Sequence, residues 1–207
     1  MRSIYLVRHC ETEHFPEKRC IGMTDIDLSE NGIWQANRLN LYFRYKGLRT
    51  IFCSPALRAE KTSEFISGGQ VPVTTLAELH EINMGDWDGM SFDEIKMKYP
   101  DEYRHRGLDF AAFSPPNGES FAACQERAAG VFQDILRNSS GAIAVVSHAG
   151  FNRALLCSLC GIDLQKLFTI PQPFGCINRL LLENGVCRVR ETGITVWESD
   201  EPGRLEQ

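Results

Sequence analysis

The sequence predicts a three-layer α/β/α fold with a largely parallel central sheet. Two observations favour this class: helical and strand patterns alternate through most of the chain, and each candidate strand is followed by a turn and a helix. The apolar runs at residues 3–7, 50–53 and 142–147 have the length and composition of buried parallel strands. Helices on both faces of such a sheet give the three layers.

The helices can be placed in order along the chain. Ser29 is a typical N-cap residue, and the apolar periodicity after it predicts a helix to about residue 45 whose buried face carries Ile33, Ala36, Leu39 and Phe43. A second helix is expected after Pro55. A third is expected to start near Glu119 or Ser120 and to end before the breaker at residues 138–141.

We expect one domain over residues 1–207, because a chain of this length can bury a single substantial core. The pattern changes at about residues 76–116, where glycines and prolines surround short helical pieces. This segment is predicted to be a helical and loop insertion that covers the functional end of the sheet.

Charge and hydropathy exclude several classes of function. The net charge is −5, from 22 basic and 27 acidic side chains, and no basic run is present. Binding to nucleic acid or to an anionic membrane requires clustered positive charge, so neither partner is expected. No apolar stretch reaches the roughly 20 residues of a spanning helix, and we expect a cytoplasmic protein.

The eight cysteines are expected to be reduced thiols. Cys157 and Cys160 form a CxxC pair, which is found in zinc and redox sites. The pair has no second CxxC partner and lies in an apolar run, where cysteine is commonly a small buried hydrophobe. The pattern therefore favours a packing role.

Cationic or potentially cationic residues follow three of the predicted strands. The first strand ends at Arg8 and His9, the second leads toward Arg58, and the strand at 142–147 ends at His148. Ligands of open α/β sheets gather beyond the carboxyl ends of the strands, so these side chains should converge. Guanidinium groups suit phosphoryl oxygens, and a neutral imidazole can attack phosphorus if its other nitrogen donates to a backbone carbonyl.

Several motifs occur in order and cover most of the chain: LVRHCETE (6–13), GMTDIDLSENG (22–32), SPALRAEKT (54–62), LHEINMGDWDG (79–89), NGESF (117–121) and VVSHAGFNRALL (145–156). Together they resemble the histidine phosphatase superfamily, which has the phosphoglycerate-mutase-like fold, and its small phosphatase branch that includes α-ribazole phosphatase. The resemblance implies a metal-independent phosphatase without a cofactor. Its substrate would be a small phosphorylated metabolite such as α-ribazole 5'-phosphate or a sugar phosphate.

The resemblance also implies a role for individual residues. His9 would be the nucleophile that takes the phosphoryl group, and Glu81 the acid that protonates the leaving oxygen and later activates water. Asp86 is the second choice for this acid. The residues implied in phosphate binding are Arg8, Arg58, His148 and, through its backbone N–H, Ala149.

Two positions depart from the family pattern. Cys10 replaces the usual glycine after the catalytic histidine, and Phe15 lies near a position where asparagine is often found. Both residues, together with Gly22, are candidates for substrate binding. The electropositive surroundings predict a lowered pKa and oxidation sensitivity for the Cys10 thiol, whereas a buried inert thiol is the alternative.

Other functions are kept as alternatives. A cysteine phosphatase would need an arginine six positions after Cys10, where the chain has Pro16. A metal site is not expected, because His9, Glu11 and His14 are not part of a recognisable metal motif. A phosphoglycerate-type mutase and a noncatalytic phospho-ligand-binding module remain open, as does a homodimer.

Overall fold

The structure, a computed structural model, describes residues 1–13 and 18–197. The strands in these ranges are β1 (Arg2–Arg8), β2 (Leu48–Cys53), β3 (Val73–Thr75), β4 (Ala142–Ser147), β5 (Ile177–Glu183) and β6 (Val186–Ile194). They form one sheet in the order β3-β2-β4-β1-β5-β6. Neighbouring strands from β3 to β1 are parallel, whereas β5 is antiparallel to β1 and to β6. The sheet is thus mostly parallel, as predicted.

The α-helices of the same residues are α1 (Glu30–Phe43), α2 (Leu57–Ser67), α3 (Phe92–Lys98), α4 (Pro100–Leu108), α5 (Phe121–Asn138) and α6 (Ala149–Cys160). Short 3₁₀ helices occur at Ala77–Leu79, Gly85–Trp87 and Leu164–Thr169. None of the helices in the described part of the chain is long and apolar enough to cross a membrane.

Two apolar cores on opposite faces of the sheet confirm the three layers. Ile4 and Leu6 of β1 pack into a cluster with side chains of α5 and α6. Tyr5 and Val7, which point to the opposite face, pack with side chains of α1 and α2. This alternation follows from the period-two geometry of a strand, and a central strand is therefore apolar on both faces.

Helix α1 shows how local sequence sets one of these layers. Ser29 caps the helix, since its hydroxyl accepts a hydrogen bond from the Gly32 N–H at 3.0 Å. A Cβ at position 32 would lie 1.9 Å from the carbonyl oxygen of Glu11, so the helix approaches the chain after β1 through this glycine. The predicted burial is wrong for Ile33, which is 44% exposed, and confirmed for Ala36, Leu39 and Phe43. The helix turns its Gly32 side inward, and position 33 faces outward.

The segment at residues 76–116 contains the 3₁₀ helices at 77–79 and 85–87 together with α3 and α4. Trp87 is fully buried there, with the rings of Tyr103 and Phe113 at centroid distances of 6.5 and 5.3 Å. The segment thus has a small apolar cluster apart from the two main cores. The expectation of a single domain over residues 1–207 stays a prediction.

Candidate active site

His9 lies immediately after β1, at the carboxyl end of the parallel strands. Its backbone N–H donates to the Ser147 carbonyl at 2.9 Å, and the residue is only 5% exposed. The ring Nδ1 is 2.8 Å from the carbonyl oxygen of Cys10. A carbonyl can only accept a hydrogen bond, so Nδ1 carries the proton and Nε2 keeps its lone pair. This is the tautomer that attack on phosphorus requires.

His148 follows β4, the strand next to β1, and its ring centroid is 5.1 Å from that of His9. Burial lowers the pKa of His9 well below its ordinary value, and the charges of Arg8 and Arg58 lower it further. The pKa of His148 is also well below the ordinary value, first because of burial and then because of His9 and the same arginines. Both imidazoles are therefore neutral at pH 7.

Arg8 places a guanidinium group beside His9. Its Cζ lies 3.7 Å from the ring centroid of Phe174, which is itself 5.6 Å from the His9 ring centroid. One terminal nitrogen donates to the Gln172 carbonyl at 2.5 Å, whereas the buried Nε has no hydrogen-bond partner within the described residues. Burial lowers the pKa of Arg8 to about 10, so the group remains charged at pH 7.

A buried amide network holds the segment that contacts Arg8. The Gln172 side chain donates to Asn178 Oδ1 at 2.7 Å and accepts from Asn152 Nδ2 at 3.1 Å. Asn178 also donates to the carbonyl of Leu6 at 3.0 Å, which ties the network to β1. These residues were not among those predicted from the sequence. Their only signal in the sequence is that they are polar residues at positions where the strand and helix patterns predict burial.

Arg58 lies in the first turn of α2 and is 2% exposed. Its two terminal nitrogens donate to the carbonyls of Thr24 and Gly22, both at 2.9 Å. The Asp88 carboxylate in turn accepts the backbone N–H groups of Gly22, Met23 and Thr24 at 2.8, 3.0 and 2.9 Å. Asp88, which the sequence analysis did not single out, therefore shapes the loop that holds Arg58. Gly22 contacts Arg58 through its carbonyl group.

Glu81 places its carboxylate at the N-terminus of α6. Oε2 accepts the N–H of Gly150 at 3.0 Å, and Oε1 accepts those of Phe151 and Ile82, both at 2.9 Å. Backbone N–H groups and the helix dipole favour an anionic group at this place. Ala149, the first residue of α6, lies directly between His148 and these donors. The end of the sheet thus brings together a neutral histidine pair, two guanidinium groups and a carboxylate.

A sequence model described as the histidine phosphatase superfamily (branch 1) matches residues 4–195. The chain belongs to this superfamily.

Individual relatives agree with this membership. Phosphoserine phosphatase 1 of Hydrogenobacter thermophilus is 34% identical over 180 residues, which are 86% of this chain and 83% of the relative. The adenosylcobalamin/alpha-ribazole phosphatase of Escherichia coli is 29% identical over 178 residues, 84% of this chain and 86% of the relative. The solved structure of Bacillus stearothermophilus YhfR superposes with a TM-score of 0.84 at 29% identity, covering 91% of this chain and 95% of that one.

The superfamily membership and these relatives confirm two predictions. The fold is phosphoglycerate-mutase-like, and the chain is a histidine phosphatase for small phosphomonoesters.

In this phosphatase Asp86, the second choice for the acid, forms a side-chain hydrogen bond with the NGESF segment. Its Oδ1 accepts a hydrogen bond from Asn117 Nδ2 at 3.0 Å, and its backbone N–H donates to the Pro116 carbonyl at 2.9 Å. Asp86 therefore joins the loop at 85–89 to the NGESF segment. Glu81 instead accepts the N–H groups of Gly150 and Phe151, the second and third residues after His148.

Cys10 differs from the expectation of an activated thiol. The side chain is fully buried in the core cluster on the α1 and α2 side, and its backbone N–H donates to the Thr62 hydroxyl at 3.0 Å. Burial raises the pKa of the thiol to about 12, so the predicted lowering is wrong. The thiol therefore packs in an apolar core. Phe15, the other departure from the family pattern, lies outside the described residues.

The remaining cysteines and acidic residues form no obvious metal centre. Within residues 1–13 and 18–197, no group of three or more His, Cys, Asp or Glu side chains is arranged to hold a metal ion. Every cysteine in these ranges is a free thiol. Cys157 of the CxxC pair is buried in the core beside α5, whereas Cys160 is exposed.

Proposed function

We propose that this phosphatase hydrolyses its substrate through a phosphohistidine formed at Nε2 of His9. The observation that carries the proposal is the hydrogen bond from His9 Nδ1 to the Cys10 carbonyl, which leaves Nε2 as the nucleophilic nitrogen. Burial and the neighbouring arginines keep the imidazole neutral, so it can attack without first losing a proton. The Cys10 residue then acts through its backbone carbonyl and not through its thiol.

The phosphoryl oxygens are bound by Arg8, Arg58, His148 and the backbone N–H of Ala149. Support comes from donors that are buried without partners among the described residues, namely Arg8 Nε and His148 Nδ1. An unsatisfied buried donor costs about 1–3 kcal/mol, and an anionic ligand would remove that cost. The positive charge of the two guanidinium groups would stabilise the charge on the oxygens during transfer.

Glu81 is proposed as the general acid and base. Its protonated carboxyl group would give a proton to the leaving alkoxide, and the resulting carboxylate would later take one from the water that attacks phosphohistidine. Its hydrogen bonds to the Gly150 and Phe151 N–H groups fix the carboxylate at the start of α6, one residue beyond the phosphate-binding positions. This placement supports Glu81 over Asp86 for the role.

The substrate is proposed to be a small phosphorylated metabolite. The candidates are α-ribazole 5'-phosphate, a sugar phosphate and, from the name of the 34% identical relative, phosphoserine. Gly22 and Phe15 are kept as candidate substrate-binding residues. We further propose a cytoplasmic location, no nucleic-acid or membrane partner, and a homodimer as the assembly to be tested. A mutase activity remains the alternative reaction.

Release of inorganic phosphate in excess chelator tests this function. The panel comprises α-ribazole 5'-phosphate, phosphoserine, sugar phosphates, phosphoglycerates and nucleotides. Wild type is compared with His9→Ala and with a matched control, His105→Ala, because His105 is an exposed histidine of α4. Circular dichroism and thermal unfolding check that each variant is folded.

The proposal expects chelator-resistant release by wild type and His105→Ala, and its loss in His9→Ala. The preferred panel member identifies the substrate class. Isomerisation of a phosphoglycerate without phosphate release would favour the mutase alternative. Release that survives in His9→Ala would contradict the assignment of the nucleophile.

A further inference from the structure

We propose that Ser54 is a positioning residue that fixes the ring tautomer of His148. In this tautomer Nδ1 carries the proton, and Nδ1–H donates a hydrogen bond to a phosphoryl oxygen of the substrate. The proposal rests on the proposed function, since it concerns the phosphate-binding role of His148. Beyond that function, Ser54 is a residue that contacts His148 and not the substrate.

The hydrogen bonds of the Ser54 hydroxyl favour one direction, in which its O–H is also satisfied. Its oxygen is 2.8 Å from His148 Nε2 and 3.3 Å from the backbone nitrogen of Ala56. The Ala56 N–H is a donor, so it cannot accept the hydroxyl proton. Within the described part of the chain, His148 Nε2 is therefore the acceptor that remains for the Ser54 O–H.

A neutral imidazole that accepts at one nitrogen carries its proton on the other. His148 is neutral in the resting site for the reasons given above, so acceptance at Nε2 places the proton on Nδ1. This nitrogen is buried and has no partner among the residues that the structure describes. The ring lies next to that of His9, at a centroid distance of 5.1 Å. Nδ1–H is thus an unused donor beside the proposed nucleophile.

The sheet explains why these two side chains meet. Ser54 follows β2, and its backbone N–H donates to the Val146 carbonyl of β4 at 3.0 Å. His148 follows β4 itself, so both residues leave neighbouring parallel strands at the same edge. Both are fully buried, which leaves no room for bulk water to replace the hydroxyl. The strand register therefore places the Ser54 hydroxyl against Nε2 of His148, and this contact fixes the tautomer.

The chemical consequence is a neutral donor directed at the phosphoryl group. With the opposite tautomer, His148 would present a lone pair to the phosphoryl oxygens and repel them. Removing one donor that stabilises transition-state charge typically lowers kcat by about 10²–10³-fold. Loss of the Ser54 hydroxyl leaves the tautomer unfixed, so we expect a fall in kcat of about 10²-fold.

Two measurements test the proposal. The first is the ¹⁵N spectrum of the imidazoles in wild type, free and with orthovanadate as the phosphoryl analogue, in which His148→Asn assigns the signals. The second is kcat of Ser54→Ala beside Ser63→Ala. Ser63 is a matched control, because it is also fully buried and its hydroxyl donates to the Ala59 carbonyl at 2.8 Å in α2, away from His148.

We expect a protonated Nδ1 and an unprotonated Nε2 for His148 in both wild-type samples. Ser54→Ala should lose about 10²-fold in kcat and show a changed His148 signal, whereas Ser63→Ala should keep both. A wild-type His148 protonated at Nε2, or at both nitrogens with vanadate, would overturn the proposal. So would a Ser54→Ala kcat within twofold of wild type. If wild type itself releases no phosphate, the proposed function fails, while the spectrum of the free protein still decides the tautomer.

Discussion

Glu81 lies against the backbone of Gly150 so closely that position 150 has no room for a side chain. Glu81 Oε2 accepts the Gly150 N–H at 3.0 Å, and a Cβ at this position would lie 2.6 Å from Glu81 Oε1. Because Gly150 has no Cβ, the Glu81 carboxylate can contact the first turn of α6. This glycine is one of the functional residues that the sequence analysis did not single out.

Gly150→Ala should displace the Glu81 carboxylate and lower kcat by about 10²-fold, because general acid catalysis depends on position. Steady-state phosphate release measures the effect. Gly130→Ala in α5 is the control: a Cβ there meets no atom within 4 Å, so kcat should stay unchanged and stability should rise by up to about 1 kcal/mol. Wild-type turnover in Gly150→Ala would show that this placement of Glu81 is not needed.

Asp88→Asn should weaken phosphate binding through the loop at 22–24. The carboxylate accepts three backbone N–H groups in that loop, whose carbonyls hold Arg58, and an amide can replace it only in part. A hydrogen bond to a charged group contributes about 1.5–3 kcal/mol, so we expect at least a tenfold loss in kcat/KM and weaker inhibition by inorganic phosphate.

Asp86→Asn is the matched control for Asp88→Asn, because Asp86 is two residues earlier and binds Asn117. It should retain kcat within a few-fold of wild type. An equal loss in both variants would mean that the loop at 85–89 acts as a whole. Abolished turnover in Asp86→Asn alone would instead make Asp86 the acid.

The pKa of His9 predicts the charge state of the free enzyme. Burial and the two arginines lower this pKa well below the ordinary value of about 6.5, so the ring should remain neutral at pH 6.5 and take up a proton only at a more acidic pH. An NMR titration of the imidazole signals, assigned with His9→Ala, measures this pKa in the free enzyme, where no ionisation of a substrate interferes. A His9 ring that is half protonated at pH 6.5 would contradict the electrostatic account of the site.

The Cys10 thiol should be unreactive in the folded protein. It is fully buried and burial raises its pKa to about 12, so little thiolate forms at neutral pH. Iodoacetamide at pH 7.5 should modify the exposed Cys160 first and leave turnover unchanged, and Cys10 should react only after unfolding. Peptide mass spectrometry reports both sites. Modification of Cys10 in the folded enzyme with loss of activity would instead support an oxidation-sensitive Cys10 thiol.

The elements that carry the site could be predicted from sequence because each is a short apolar strand followed directly by a functional side chain. This holds for β1 with His9 and for β4 with His148. The hairpin of β5 and β6 was missed although it has a sequence signal. Asn184 and Gly185 between the strands both adopt positive φ, the conformation that Asn-Gly favours in tight hairpins.

The supporting contacts could not be predicted in the same way. Asp88 binds Gly22, and Ser54 binds His148, across sequence separations of 66 and 94 residues that only the folded chain brings together. The prediction for Cys10 failed for a different, local reason. Adjacent side chains of an extended segment point in opposite directions, so the ring of His9 faces the site while the thiol of Cys10 enters the core.

If the phosphoryl group passes through Nε2 of His9, it can be trapped on that nitrogen. Wild type would be mixed with its best substrate, quenched in alkali, in which phosphohistidine survives, and digested for mass spectrometry. We expect phosphate on the peptide that contains His9, at the imidazole Nε2, and none in His9→Ala. Phosphate on another residue, or turnover in His9→Ala without any labelled histidine, would contradict it.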